Sequence, residues 1–592
     1  MAAALEPEPR FTRTLHSEPG AGLAHVGLES LGSAGQVAWN GDRTLALAME
    51  GELFDAAAVE RATSNGHEPP AESHAELVLR VYERGGEAGL ARLNGAFAVA
   101  AWDRNQRQLT LFNDRLGLHP LYYAQVNGGL LFGSGVRALL ADPALNRAVD
   151  LVALNQFLVH DHVLDDRTFL ESVRLLPQAS VLTFRDGKLT IRPYWQLRYP
   201  ERYKPQAEEA YVEGLEHHLR QAVRRQRPDS RPVGMLLSGG VDSRLILGLL
   251  CEEGAPLQTF TFGVPGCDDA VVAAEVARAC GTTHRFHELK PDWLAGMADA
   301  AVRATDGLGN IVNLHAMANV EAQSRHASVL FKGFLGDALL GWALRRQMWG
   351  DYADADRYEV HRAAHRFHGV LNYEPPEEAR LFTSAFAARV GDGLYRAYRD
   401  GMDRSGSHQV GNQRLYFDLT QRVPRMTLNG VEVARTHAVV RLPFADNDLL
   451  DFVLTVPPGF LFERHLSKAV LVARFPKLAG IPVTGTGRPL QSNARDLVVQ
   501  AKSLLSWHLK QRGLGRLAPA ERRPYKDYDG WFRTVLHPWV ERILLDRRTL
   551  DRGYFRPDYV RGLVESHMNG ARHAVRLGGL LTIELWHRQF LD

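Results

Sequence analysis

Two periodicities divide the chain. Up to about residue 195, apolar positions come in short runs broken by turn residues. Leu45-Ala46-Leu47-Ala48-Met49, Phe97–Trp102 and Gln108–Phe112 read as strands, the last two joined by polar Asp103–Arg107 as in a hairpin. Glu76–Tyr82 is the helical exception. Such strand-rich sequence with frequent turns predicts stacked, mainly antiparallel sheets. From Glu208 the period changes: Tyr211, Leu215, Leu219 and Val223 stand four apart and predict a helix over 208–227. Val233–Leu237 then reads as a buried strand, Arg244–Leu250 as helix, Leu257–Gly263 as strand, Ala270–Cys280 as helix and Ser328–Lys332 as strand. Strand and helix in alternation predict parallel βαβ units. Polar Leu197–Pro205, with two prolines, reads as a linker.

A chain of 592 residues is too long for one core, so at least two domains are expected, here 1–197 and 206–592. A net charge of only +2 gives no case for nucleic acid as a partner. The three cysteines, Cys251, Cys267 and Cys280, form no C-x-x-C and no disulfide framework, which suggests a reducing cytoplasm. Met1–Pro9 lacks the charged-then-apolar layout of a secretion signal, and no apolar run is long enough to span a bilayer, so no membrane partner is expected.

The chemistry concentrates after the first parallel strand, in Leu236-Leu237-Ser238-Gly239-Gly240-Val241-Asp242-Ser243. Paired glycines let the backbone approach a phosphate, and the N–H groups of the following helix start point at it. Ser238 and Ser243 add hydroxyl donors. Asp242 would repel phosphate unless Mg²⁺ stood between them. In a parallel sheet a ligand sits at the carboxyl ends of strands, where Leu237 and Phe262-Gly263 both fall. A second glycine-rich turn, Gly333-Phe334-Leu335-Gly336-Asp337, follows the third strand and places another carboxylate near the phosphates. Gly333 and Phe334 are expected to line the same site, and Asp242 and Asp337 to share the Mg²⁺. Two histidine groups invite a metal reading. His160-Asp161-His162 is read instead as a surface loop, and His361, His365 and His368 as one face of a solvated or acceptor-facing helix rather than a zinc site.

Ser-Gly-Gly-Val-Asp-Ser after an apolar strand resembles the pyrophosphate loop of the ATP pyrophosphatases. Leu93–Ala98, Asp114–Tyr123 and Gly133-Ser134 resemble the glutaminase domain of asparagine synthetase, while Gly281–His284, Asn429–Glu432, Val440–Asp451 and Leu466–Arg474 resemble its synthetase domain. The resemblance implies an N-terminal-nucleophile-hydrolase-like antiparallel sandwich, followed by an ATP-pyrophosphatase-type parallel α/β domain with extra helices. It also implies ATP as the nucleotide, with Leu237 and Phe262-Gly263 as its adenine and ribose contacts, and a charge-stabilising role for Lys468. The family's glutaminase uses an N-terminal cysteine, but position 2 is Ala2 and no cysteine precedes Cys251. Its Asn-Gly-Glu reads Glu50-Gly51-Glu52 here, and a carboxylate would repel the oxyanion. The N-terminal domain is therefore expected to be an inactive glutamine amidotransferase fold.

The Gly333–Asp337 turn resembles Gly-Glu-Gly-x-Asp-Glu of the synthetases and Gly-Tyr-Gly-x-Asp of the β-lactam synthetases, from which Phe334, Leu335 and Ala338 depart. The implied activity is ATP-dependent amide formation on a small-molecule or peptide carboxylate, with Asp242, Asp337 and Lys468 as the catalytic group. Two branches of the family share the lost glutaminase, β-lactam synthetases and the macrolactam cyclases of lasso peptides. Ring closure of a peptide is the leading expectation, with a precursor peptide and its protease as partners. An ammonia-using amidotransferase, a β-lactam synthetase-like enzyme and an idle scaffold are the alternatives. The basic, aromatic C-terminal stretch (Arg522–Lys526, Arg547-Arg548, Trp531, Trp539) is expected to form solvated helices.

Overall fold

The chain first forms a two-stranded ribbon, β1 (Phe11–Glu18) with β2 (Ala21–Leu28). It continues through β3 (Val37–Trp39), β4 (Leu45–Leu53), β5 (Gly95–Asp103) and β6 (Gln108–Asn113), then β7 (Tyr122–Val126), β8 (Gly129–Gly133) and β9 (Arg174–Leu175), and returns with β10 (Ser180–Arg185) and β11 (Lys188–Pro193). This computed structural model describes residues 1–5, 11–28, 37–63, 69–200, 202–204, 206–227, 231–254, 256–342, 344, 359, 371–484, 486–491 and 523–592. His361, His365 and His368 lie outside the described residues.

A six-stranded antiparallel sheet has the order β11-β10-β6-β5-β4-β3, and a three-stranded one the order β8-β7-β9. Alternation along the strands decides how they stack. Ala46, Ala48, Ala98 and Ala100 face the smaller sheet, where they meet Leu121 and Tyr123; small side chains let the two layers approach. Leu47, Met49, Phe97 and Val99 face the other way and bury Leu77, Val78 and Val81 of the helix His74–Leu90. The sandwich is thus the expected antiparallel one. The helix is longer than Glu76–Tyr82, with a break at Gly86.

After the helix Glu208–Gln226 come five parallel strands: β12 (Val233–Leu236), β13 (Leu257–Gly263), β14 (Thr283–Glu288), β15 (Val329–Phe331) and β16 (Val439–Arg441). Their order is β14-β13-β12-β15-β16. The chain winds outward to β14 and then crosses back to β15. The reversal opens a crevice between the carboxyl ends of β12 and β15, where a doubly wound sheet binds its ligand.

Two expectations need correction. His160-Asp161-His162 is not a surface loop: the three residues are buried at the junction of the domains, at 3%, 4% and 1% exposure. Asp161 ends the helix Leu151–His160 in the left-handed conformation and accepts N–H groups from Asn310 (2.6 Å) and Asn313 (2.7 Å). The apolar flanks Phe157-Leu158-Val159 and Val163-Leu164 pull the triplet inward. Nor are the C-terminal helices merely solvated. Trp531 and Trp539 are buried, and Trp586 packs edge-on against Phe169 of the N-terminal domain at 5.1 Å; Arg547 and Arg548 do stay outside. The stretch 197–204 has no regular structure where described, yet it is packed rather than loose. Leu197 is buried and the Tyr203 hydroxyl donates to Asn412 Oδ1 at 2.9 Å. Among the described residues no helix is long and apolar enough to cross a membrane.

The two halves are clamped by one fully buried carboxylate. Asp446 receives Asn94 Nδ2 (2.9 Å) from the N-terminal domain, pairs with Arg225 (3.0 Å), and caps its own helix through the N–H groups of Asp448 and Leu449. Asp446→Ala should therefore lower stability by about 2–4 kcal/mol, the cost of an uncapped helix end and of the lost bonds to Asn94 and Arg225, which keeps Asp448 at 2.6 Å, while Asp446→Asn keeps the cap and loses less. Urea unfolding of the full chain measures both; a loss under about 1 kcal/mol for the alanine variant would contradict the clamp.

Candidate active site

β12 leads straight into the loop. Leu237 donates its N–H to the Phe260 carbonyl (2.8 Å), and its own carbonyl accepts the Thr261 hydroxyl (2.5 Å). The side chains of Leu237 and Val241 are buried in the core, so these residues fix the loop and leave Ser238 and Gly240 at its surface. Ser238 Oγ lies 3.0 Å from Ser243 Oγ and accepts the Gly240 N–H at 3.3 Å. The helix Val241–Glu252 starts at Gly240 without a side-chain cap, so its positive end opens on the crevice.

Gly239 has no alternative, because a Cβ there would come 2.1 Å from Thr484 Cγ2. Its N–H goes to Asp269 Oδ1 at 3.1 Å. Behind the loop sits Arg244, wholly buried. It donates to the carbonyls of Gly239 (3.0 Å), Leu478 (2.9 Å), Ile481 (2.7 Å) and Pro482, and so ties the loop to the 478–482 turn.

Across the crevice, the turn after β15 brings Asp337 to face Asp242. Leu335 adopts the left-handed conformation (φ 73°) with its side chain buried, and the short helix Gly336–Leu339 begins there. The two turns interlock through glycines: a Cβ on Gly333 would lie 3.1 Å from the Ser243 nitrogen, and one on Gly336 2.9 Å from Asp242 Cγ. Asp242 Oδ2 accepts Arg464 Nη1 at 3.2 Å, while buried Oδ1 has no hydrogen-bond partner. Asp337 takes the Ala338 N–H (2.8 Å) and has Arg422 at 3.8 Å. Burial pushes the Asp242 carboxyl up to about 6; Arg464 pulls it down and the charge on Asp337 pushes it up again. An orphaned buried carboxylate oxygen, a second carboxylate and a phosphate-sized cradle form a donor set that fits Mg²⁺.

Arg464 has a left-handed backbone and precedes the helix His465–Arg474, which carries Lys468. Lys468 lies in the first turn of that helix and is half-buried. Arg422 comes from a wide-turn helix, Asp418–Thr427, with Pro424 inside it; such turns recur at functional sites.

The end of β13 is roofed by the C-terminal segment. The Phe262 ring stands 5.3 Å from His315 and 6.3 Å from Tyr525, and a Cβ on Gly263 would lie 2.9 Å from Cys267 Sγ. Lys526 donates to the Val312 carbonyl and Asn313 Oδ1, both at 3.2 Å, and Lys332, next to Gly333, donates to the Gly430 carbonyl at 2.7 Å. Burial pushes each lysine down to about 8, and pushes His315 down to about 3, so that it is neutral. Half-buried Leu236 packs against Phe260 and Leu330, half-buried Phe334 packs against the main core of the synthetase half, and Phe334 offers no proton acceptor.

The loop residues Ser238–Ser243, Asp337, Gly333 and Phe334 thus come together at the crevice, with Phe262-Gly263 at the end of the adjoining strand. Reading the sequence missed Arg244, Asp269, Arg422, Arg464, Lys332 and Lys526. Arg464 alone left a trace, its four-residue spacing from Lys468.

Comparison with known proteins agrees with this layout. A glutamine amidotransferase domain model matches residues 11–195, and an asparagine synthase model matches 214–480. Asparagine synthetase [glutamine-hydrolyzing] 1 of Bacillus subtilis is 22% identical over 611 residues, 96% of this chain and 89% of that one. Asparagine synthetase [glutamine-hydrolyzing] 3 of the same organism is 24% identical over 487 residues, 76% and 75% of the two chains. Amidase chyE of Penicillium rubens is 26% identical over 304 residues, and there the match spans 48% of this chain and only 45% of the amidase.

The Asp242 carboxyl titrates at about 6 when folded, against an ordinary 3.8. A raised folded value contributes stability below about pH 4 that is lost as pH rises through about 6. Asp242→Asn should therefore be more stable than wild type at about pH 7.5, on the order of 1–3 kcal/mol, with the gain gone below about pH 4. Thermal unfolding across that range tests it; a less stable variant at the higher pH would refute it.

Proposed function

The chain belongs to the asparagine synthetase family, and from that premise we propose that it is an ATP-dependent ligase joining a substrate carboxylate to an amine with release of AMP and pyrophosphate. One observation carries the reading. Asp242 and Asp337 face each other across the reversal in strand order, beside an uncapped helix start and a serine-lined loop. Bound Mg²⁺ would be held by Asp242 and Asp337 and would neutralise phosphate charge. Ser238, Ser243 and the first N–H groups of the helix hold the pyrophosphate portion. Arg464 and buried Arg422, already beside the two aspartates, add positive charge that offsets the phosphate oxygens. A carboxylate is a poor electrophile, and its adenylate gives the amine a good leaving group. Lys468 stabilises negative charge on the former carboxylate oxygen as the amine attacks.

We further read the nitrogen donor as a preformed amine. Ala2 stands where the family's nucleophile would be, and Glu50 faces the same cavity. Closure of a macrolactam by an amine of the same peptide, with a precursor peptide and protease as partners, is the narrowest form of this reading and rests on the resemblance alone.

Incubation with glutamine and ATP should release no glutamate above background, and turnover would overturn the preformed-amine reading. Asp337→Asn should abolish substrate-dependent ATP–pyrophosphate exchange, since losing a metal ligand in a phosphate site costs several kcal/mol of charge stabilisation. Exchange is assayed against a panel of free aspartate, β-amino acids and acidic peptides. Near-wild-type exchange in that variant would remove Asp337 from the metal site. Lys468→Ala should slow amide formation by about 10²–10³ while slowing exchange less. Equal loss of both would place the lysine in adenylation, and no loss would remove it from the site.

A further inference from the structure

Two thiols meet in the synthetase half, at the helix ends far from the phosphate loop. Cys251 lies in the last turn of the helix Val241–Glu252, and Cys280 ends the helix Asp268–Ala279. A strand and a helix separate them in the chain, yet folding puts their side chains in hydrogen-bond contact. Both are half-buried against the same core, so each keeps a face open to a small reagent. Cys267 is the internal control. It is buried at the opposite end of the helix Asp268–Ala279, roughly 20 Å from Cys280 along the axis, with its Sγ close to Gly263.

The two sulfurs are not equivalent. The Cys280 S–H donates to Cys251, which holds the Cys251 thiol below its ordinary range; the same bond, with burial, raises Cys280. Cys251 therefore ionises first, and its thiolate is the nucleophile of the pair. The carboxylates that follow it in the chain are balanced by arginines, Glu252 by Arg220 at 2.7 Å and Glu253 by Arg224 at 2.7 Å. At their other ends the same two helices hold the phosphate loop. One starts at Gly240, and the other supplies Asp269 to the Gly239 N–H.

We propose that Cys251 and Cys280 form a reversible disulfide site, oxidised by a small disulfide, that staples the two loop-bearing helices at their far ends. The Cys251 thiolate attacks one sulfur of the small disulfide; that S–S bond breaks and a small thiolate leaves. Cys280 gives its proton to that thiolate and attacks the Cys251 sulfur, which breaks the mixed disulfide and releases the second small thiolate, protonated by solvent. Two protein thiols thus lose two electrons and two protons, and the small disulfide becomes two thiols. The inference rests on the thiols alone and holds whether or not the ligase reading does.

Incubation of the folded full chain with glutathione disulfide, then alkylation with N-ethylmaleimide and peptide mass mapping without reduction, tests this. The expected product is a peptide joining Cys251 to Cys280 that dithiothreitol reverses, with Cys267 left unlinked. Cys280→Ser should instead keep a glutathione adduct on Cys251, and Cys251→Ser should slow modification of Cys280 at least tenfold. Thermal unfolding of the treated chain and of both variants confirms that they are folded. Two independently alkylated thiols, a glutathione adduct that persists on wild-type Cys251, a link to Cys267, or undiminished modification of Cys280 in Cys251→Ser would each overturn the proposal. ATP–pyrophosphate exchange, measured alongside, reads the ligase site separately.

Discussion

Two carboxylates that repel each other set the terms for the synthetase half. Asp242 and Asp337 are brought together by the reversal in strand order, and the Asp337 charge adds to the burial that lifts the Asp242 carboxyl to about 6. Left alone, the pair would push the two turns apart. Arg464 and Arg422 offset part of that repulsion. Glycines at 333 and 336 allow an approach that any Cβ would block, and Arg244 holds the loop from behind. What is left over is an orphaned Asp242 oxygen and an excess of negative charge beside a helix start. That combination binds a divalent cation together with the phosphates it accompanies.

The N-terminal half keeps family motifs, and the structure shows what those motifs do here. Asn94 binds Asp446 and the Asn447 N–H. Asp114 accepts the N–H groups of Phe97, Leu116 and Leu118 and so fixes the turn before β7. The Leu118 carbonyl in that turn takes Arg435 of the other half. These residues build the sandwich and fasten it to the synthetase half. The C-terminal helices strengthen the same junction: Asn310 binds both Asp161 and the Val575 carbonyl.

Local patterns in the sequence determined a good deal. The alternation in β4 and β5, the four-residue repeat of Tyr211, Leu215, Leu219 and Val223, and the strand–turn–helix around Ser238 are set by contacts within a few residues, and each reads out the face it buries. The two aspartates were legible for the same reason, since each follows a strand in a glycine-rich turn.

Tertiary structure alone decided which distant groups meet. Arg464 and Arg422 reach the aspartates from segments far along the chain. Lys526 arrives from the C-terminal end to stand beside His315, and His160-Asp161-His162 is drawn into the junction by partners near residue 310. A polar residue carries no local mark of the burial it will meet, because burial and charge pairing are properties of the packed chain. The same holds for the cavity where the N-terminal sheets meet the synthetase half: its wall comes from both halves, and no stretch of sequence contains it.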